Sequence, residues 1–300
     1  MLKIAYHPVY KHPLSESHRF PMQKYDLLPQ QLLHEGTCGP ENFFEPGLPE
    51  DAEILRAHDQ HYYKKLREGS LSRREMRKVG FPWSPELVLR ERRIAQGTID
   101  GCLFALKYGV AMNIAGGTHH AYSDRGEGFC MLNDQAIGAH YLLAAGLARR
   151  ILILDLDVHQ GNGTAEIFTG VPEVYTFSMH GKANYPFPKE SSDLDVSLEP
   201  GTEDEDYLSI LGKHLPELKK TVNPDFVFYL SGVDILASDK LGTLAVSPEG
   251  CQKRDQMVFQ WCREHNLPVQ CSMGGGYSPR LRTIVEAHAA TFRMAQLVFF

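Results

Sequence analysis

Short apolar runs alternate with longer stretches of helical periodicity along almost the whole chain. This alternation restricts the fold more than any other feature. The runs cover residues 2–6, 110–114, 151–156, 173–178, 226–231 and 268–272. They are rich in Val, Ile, Phe and Tyr, and several are apolar without interruption, as strands buried on both faces of a parallel sheet require. Between them, residues 25–34, 85–108, 134–148, 203–220, 248–264 and 280–299 carry helical patterns. The expectation is an α/β chain, a three-layer αβα arrangement around a mostly parallel sheet. There is no internal repeat, low-complexity segment or Pro/Gly/Ser linker, so one domain over residues 1–300 is expected.

In such a sheet, ligands bind beyond the carboxyl ends of the strands. The polar residues that follow the apolar runs are therefore the candidates for chemistry. Ile151-Leu-Ile-Leu leads into Asp155, Asp157 and His159, an alternation that would aim all three the same way from a strand end. Carboxylate and imidazole both bind zinc; the plain alternative is a polar strand end capping a helix. Gly116-Gly-Thr-His119-His120 follows another run and suggests imidazoles presented in a pocket, or else a solvated loop. Asp234 ends a third run, where a helix cap is the ordinary role. Gly274-Gly-Gly-Tyr277 is a turn able to aim a phenol into a cleft. Each segment alone has a plain explanation. Together they supply metal ligands, a base and an oxyanion donor at one sheet edge, the parts of a hydrolytic metal site.

Composition narrows the function classes. The net charge of −6 argues against a nucleic-acid partner. The basic stretch Ser72-Arg-Arg-Glu-Met-Arg-Lys78 reads as a solvated helix face. Met1-Leu-Lys-Ile-Ala-Tyr6 reads as a first strand, not a signal peptide. No apolar run approaches the ~18 residues of a membrane span. The six cysteines are scattered with no C-x-x-C pair. That pattern points away from disulfides and thiolate zinc, and towards a reducing, cytoplasmic setting.

At this point the sequence resembles the histone deacetylase family. The resemblance rests on the Gly-Gly-Thr-His-His-Ala loop, Gly128-Phe129-Cys130, Asp155-Leu-Asp157-Val-His159-Gln-Gly-Asn162-Gly, Gly232-Val-Asp234 and Gly-Gly-Gly-Tyr277, in that order. His18-Arg-Phe-Pro-Met22, Ser123-Asp-Arg-Gly126, Gly201-Thr-Glu-Asp-Glu205 and Ser238-Asp-Lys-Leu-Gly242 resemble the class IV branch and its bacterial relatives. The resemblance implies the arginase/deacetylase fold and a zinc-dependent deacylase. Asp157, His159 and Asp234 would bind one zinc. His119 and His120 would flank the attacking water, with Asp155 orienting His119 and Asn162 pairing with His120. Tyr277 would donate to the carbonyl oxygen. Gly128, Phe129, Tyr185, Leu241, Pro82 and Gly275 would line or rim the acyl channel. A structural potassium site would use Asp155, Ser178 and Met179, and a second the backbone of Phe168, Val171 and Val174.

Asn162 is a departure, because many relatives have an aspartate there. A neutral amide stabilises imidazolium less than a carboxylate does, so His120 is expected to be the neutral ring and the base. An arginase-like dimetal enzyme would need an aspartate where Gly161 stands. A non-catalytic acyl-chain binding module would lack the ligands or Tyr277, and all are present. Acylated lysine in protein or peptide, and small acylamines such as acetylpolyamines, both remain open as substrates.

Overall fold

The computed structural model describes every residue except Glu16. In chain order the elements are β1 (Lys3–Ala5), α1 (Lys24–His34), β2 (Phe43–Phe44), α2 (Asp51–Ile54), α3 (Gln60–Glu68), α4 (Arg73–Val79) and α5 (Pro85–Tyr108). Then come β3 (Val110–Asn113), α6 (Asp134–Ala144), β4 (Ile151–Asp155), α7 (Asn162–Ile167), β5 (Val174–Gly181) and β6 (Leu194–Leu198). The chain closes with α8 (Asp204–Thr221), β7 (Phe226–Leu230), α9 (Pro248–Glu264), β8 (Val269–Ser272) and α10 (Leu281–Phe299). The strands form one eight-stranded sheet in the order β2-β1-β3-β8-β7-β4-β5-β6, parallel throughout.

Helices cover both faces. Consecutive residues of β7 point to opposite sides. Phe228 meets α6 at Gly138, whereas the Tyr229 hydroxyl donates to Asp255 of α9. α5 and α6 pack together on one side; α1, α8, α9 and α10 pack on the other. β4, β7 and β8 are buried along their whole length; β7 and the first four residues of β4 are apolar without interruption, as burial on both faces favours, whereas β8 also buries Gln270 and Ser272. This is the αβα arrangement of the arginase/deacetylase fold. Among the described residues no helix is long and apolar enough to cross a membrane.

The sequence expectations differ from the structure at the edges. β2 and β6 were not anticipated. β2 is only two residues long, and β6 is half-exposed with polar residues between its apolar ones, as befits sheet edges. The helix expected to reach residue 148 stops at Ala144, because Gly146 turns left-handed (φ 66°) and its N–H bonds back to Leu143. The strand through 151–156 ends at Asp155, so Asp157 and His159 lie on the following bend, not on strand alternation. The six cysteines are all free and buried.

One register row crosses the whole sheet. It runs Phe44, Ala5, Asn113, Ser272, Leu230, Asp155, Ser178, Asp195. The carboxyl ends of β3, β8, β7 and β4 are therefore level, and the loops leaving them meet above one line.

Candidate active site

Four of those loops meet in a buried polar cluster. Asp157 and His159 leave β4, Asp234 leaves β7, His119 and His120 leave β3, and the glycine turn to Tyr277 leaves β8. Asp157, His159 and Asp234 are each at least nine-tenths buried and offer ligand atoms within 4.8 Å of one another. His159 Nδ1 lies 3.0 Å from Asp157 Oδ1 and 3.2 Å from Asp234 Oδ2.

The backbone holds these carboxylates through their other oxygens. Asp157 Oδ2 accepts the Gly275 N–H at 2.8 Å, and Asp234 Oδ1 accepts the Val158 N–H at 3.0 Å. A Cβ at Gly275 would stand 2.0 Å from Asp234 Oδ2, so only glycine fits there. Asp234 Oδ2 is buried and makes no well-aligned hydrogen bond, although His159 Nδ1 stands 3.2 Å away. Burial and the Asp157 charge push the Asp234 carboxyl up to about 7. Two packed carboxylates, one with an oxygen that lacks a well-aligned hydrogen bond, beside an imidazole form a donor set that suits a divalent cation such as zinc.

The two histidines have unlike partners. His119 Nδ1 meets Asp155 Oδ2 at 2.7 Å, and His120 Nδ1 meets Asn162 Oδ1 at 2.6 Å. Burial would lower both rings. For His119 the Asp155 and Asp157 carboxylates outweigh it and raise the pKa. For His120 burial, with the His119 and His159 charges, takes it well below the ordinary imidazole value. Asn162 is itself oriented, since its Nδ2 donates to the Tyr122 hydroxyl at 3.0 Å, which donates to Glu190 at 3.1 Å. An amide oxygen only accepts, so His120 carries its hydrogen on Nδ1 and leaves Nε2 as an acceptor.

The Tyr277 phenol is raised well above its ordinary range by burial, then by the charges of Asp234 and Asp157. It therefore stays protonated as a donor. Asp239 fixes this turn, accepting the Tyr277 N–H at 2.6 Å and the Leu241 N–H at 2.8 Å. A cavity of about 380 Å³ leads from His120, His159 and Tyr277 past Gly128, Phe129, Tyr185 and Leu241 to the surface. Gly128 is left-handed (φ 54°), and a Cβ there would lie 2.7 Å from the His120 ring. Tyr185 is tied to the opposite wall by its hydroxyl, 2.6 Å from Glu127.

Pro82 does not line this cavity. α4 closes on left-handed Gly80, which turns Phe81 inward onto Phe129 at 5.2 Å and leaves Pro82 exposed. Of the residues expected to hold monovalent cations, Asp155 and Ser178 are register partners, and Met179 is buried next to them. Phe168, Val171 and Val174 form a chain of backbone turns leading into β5, with N–H to O contacts of 3.0 and 3.1 Å.

Sequence reasoning missed several supporting residues. Arg254 of α9 is fully buried and donates to the carbonyls of Ser231 at 3.2 Å and Gly232 and, at 3.5 Å, of Leu156. It thus ties together the loops that carry Asp234 and Asp157. Its adjacent Asp255, at 2.8 Å, supplies the counter-charge. A charged Arg-Asp pair inside a helical apolar pattern was the signal available. Lys24 is also buried beneath the glycine turn, donating to Gly274 O at 3.1 Å, and burial pushes it down to about 8. Nothing local in the sequence marks it.

Comparison with known proteins agrees with this arrangement. The Histone deacetylase domain family matches residues 18–292. An uncharacterized protein of a Picosynechococcus strain is 44% identical over 99% of both chains. Histone deacetylase 2 of Arabidopsis thaliana is 30% identical over 88% of this chain and 70% of its own length. The crystal structure of an HDAC homolog from Aquifex aeolicus superposes with a TM-score of 0.84 at 23% identity, covering 98% of this chain and 84% of that one. The family match over residues 18–292 shows that this chain belongs to the histone deacetylase family.

Proposed function

We propose that the protein is a zinc-dependent amide hydrolase that removes acetyl or longer acyl groups from lysine side chains or related alkylamines. One observation carries this reading: a buried Asp157–His159–Asp234 cluster, two unequally paired histidines and Tyr277 line one small pocket, from which His120, His159 and Tyr277 also face the channel.

Asp157, His159 and Asp234 would hold the metal, which when bound supplies Lewis acidity to the scissile carbonyl and to water. His120 accepts the proton of the attacking water at Nε2, the form its Asn162 bond and low pKa favour. His119, paired with Asp155, favours imidazolium and gives its proton to the leaving amine; the proton taken up by His120 passes to solvent and His119 takes one back, restoring both rings. Tyr277 donates to the carbonyl oxygen as it gains negative charge. Phe129 and Tyr185 line the channel along which the alkyl arm would run. A potassium ion beside Asp155 and Ser178 belongs to the same reading and would steady Asp155; its support is the resemblance.

The test is turnover of acyl-lysine peptides of graded acyl length by purified protein, following the carboxylate and free amine released. Chelation should abolish turnover and zinc should restore it. Zinc-loaded protein that releases no amine from any of them would overturn the proposal.

A further inference from the structure

The basic stretch of α4, which reads from sequence as a solvated face, lies against the channel mouth. The Lys78 carbonyl accepts the Gly128 N–H at 3.0 Å and the Val79 carbonyl accepts the Phe129 N–H at 2.7 Å. The last turn of α4 is thereby pinned to the channel wall. Arg73 and Arg77 line a hollow beside Gly80 and Phe81. From another element, the Arg19 guanidinium stands 5.0 Å from the centre of the Phe129 ring. Arg19 lines both the channel and an adjoining open cleft of about 810 Å³, whose lining also includes Lys11 and Lys240.

No carboxylate lines the channel or the α4 hollow among the described residues. Three acids on adjoining segments are engaged. Glu127 pairs with Lys78 and Arg125, Asp26 pairs with Lys11, and Asp239 accepts backbone N–H groups. Arg19, Arg73, Arg77 and Lys240 are exposed and make no ion pair among the described residues. The chain as a whole carries −6, so this positive collar is a local concentration and not the general surface charge.

We propose that this collar selects acyl-lysines set among acidic residues, and disfavours polycationic substrates such as acetylpolyamines and basic tails. The proposal rests on the amide-hydrolase reading and names the substrate class of that site. An acyl-lysine entering the channel brings its flanking residues to the rim, where Arg19 and the α4 arginines meet them. Carboxylates there are attracted and ammonium groups repelled. A cleft lined by one sign of charge raises capture of the opposite sign by about 10–10³-fold at low ionic strength.

The experiment compares kcat/KM on matched acetyl-lysine peptides whose flanking residues are glutamate, glutamine or lysine, together with N-acetylspermidine, at low and high ionic strength. The glutamate peptide should exceed the lysine peptide by about tenfold or more at low salt. The gap should narrow as salt screens the rim. The double variant Arg19→Glu, Arg77→Glu should invert the order. Equal rates, the reverse order, or a gap indifferent to salt overturns the proposal. The uncharged glutamine peptide separates the two readings: turnover of it without a charge order sinks the collar alone. If no peptide is hydrolysed, the hydrolase reading falls, and binding of the same peptides by fluorescence anisotropy still reads the charge order, equal affinities overturning it. Stronger inhibition by a single-stranded oligonucleotide than by polyglutamate of equal charge would reassign the collar to nucleic acid and likewise overturn it.

Discussion

His120 gives its Nδ1 hydrogen to the amide oxygen of Asn162 over 2.6 Å, whereas His119, with ring centroids 4.1 Å apart, pairs its Nδ1 with the Asp155 carboxylate over 2.7 Å. Two adjacent residues of one loop thus occupy opposite electrostatic settings, the asymmetry on which the proposed division into base and acid rests.

The first prediction follows from that asymmetry. Asn162→Asp should raise the His120 pKa, because a carboxylate partner favours imidazolium. A raised pKa keeps the base protonated, and so inactive, over a wider acidic range. The acidic limb of kcat/KM against pH should therefore move to higher pH, with metal occupancy checked at each point. A limb that stays put or moves lower would falsify the pairing. His120→Ala should also lose more turnover than His119→Ala.

Tyr277→Phe should keep fold and metal but lose on the order of 10²–10³ in kcat on acetyl-lysine peptides, the usual cost of one oxyanion donor. Steady-state kinetics beside elemental analysis read both quantities. Undiminished kcat would mean that the phenol does not reach the reacting carbonyl.

Metal binding should be proton-linked. Asp234 is pushed up to about 7 by burial and by Asp157, so below that pH a proton competes for the carboxylate. Zinc affinity, measured by chelator competition with metal-free protein, should rise as pH increases through about 7. One zinc per chain should bind. Affinity that is flat across this range, or two tightly held zinc ions, would count against the three-residue site.

Arg254 tests how the ligand loops are held. Arg254→Lys keeps a charge but loses the planar fork that reaches three carbonyls. Zinc affinity should fall by about 10–100-fold while the fold persists. Arg254→Met leaves Asp255 uncompensated in the core and should cost about 3–5 kcal/mol of stability. Unchanged zinc affinity in the lysine variant would confine Arg254 to a packing role.

The sequence by itself determined the α/β layers and which polar residues follow the strands. Strands buried on both faces are mostly apolar, so β3, β4, β7 and β8 were legible as short apolar-rich runs, and in a parallel sheet the residues after them lie at one edge. Edge strands carry no such requirement, and β2 and β6 went unseen. Pairing across distance was decided only by the tertiary structure. Which histidine meets a carboxylate depends on where β3 and β4 are brought in the sheet, with β8 and β7 between them. The Asn162 amide is oriented by Tyr122 and Glu190, which lie on other segments. Arg254, Asp239 and Lys24 act through backbone carbonyls and amides of remote loops, groups that every residue carries, so a sequence does not show which loops they hold. The basic stretch of α4 was visible as charge, but only the contacts of Lys78 and Val79 with Gly128 and Phe129 set that charge beside the channel.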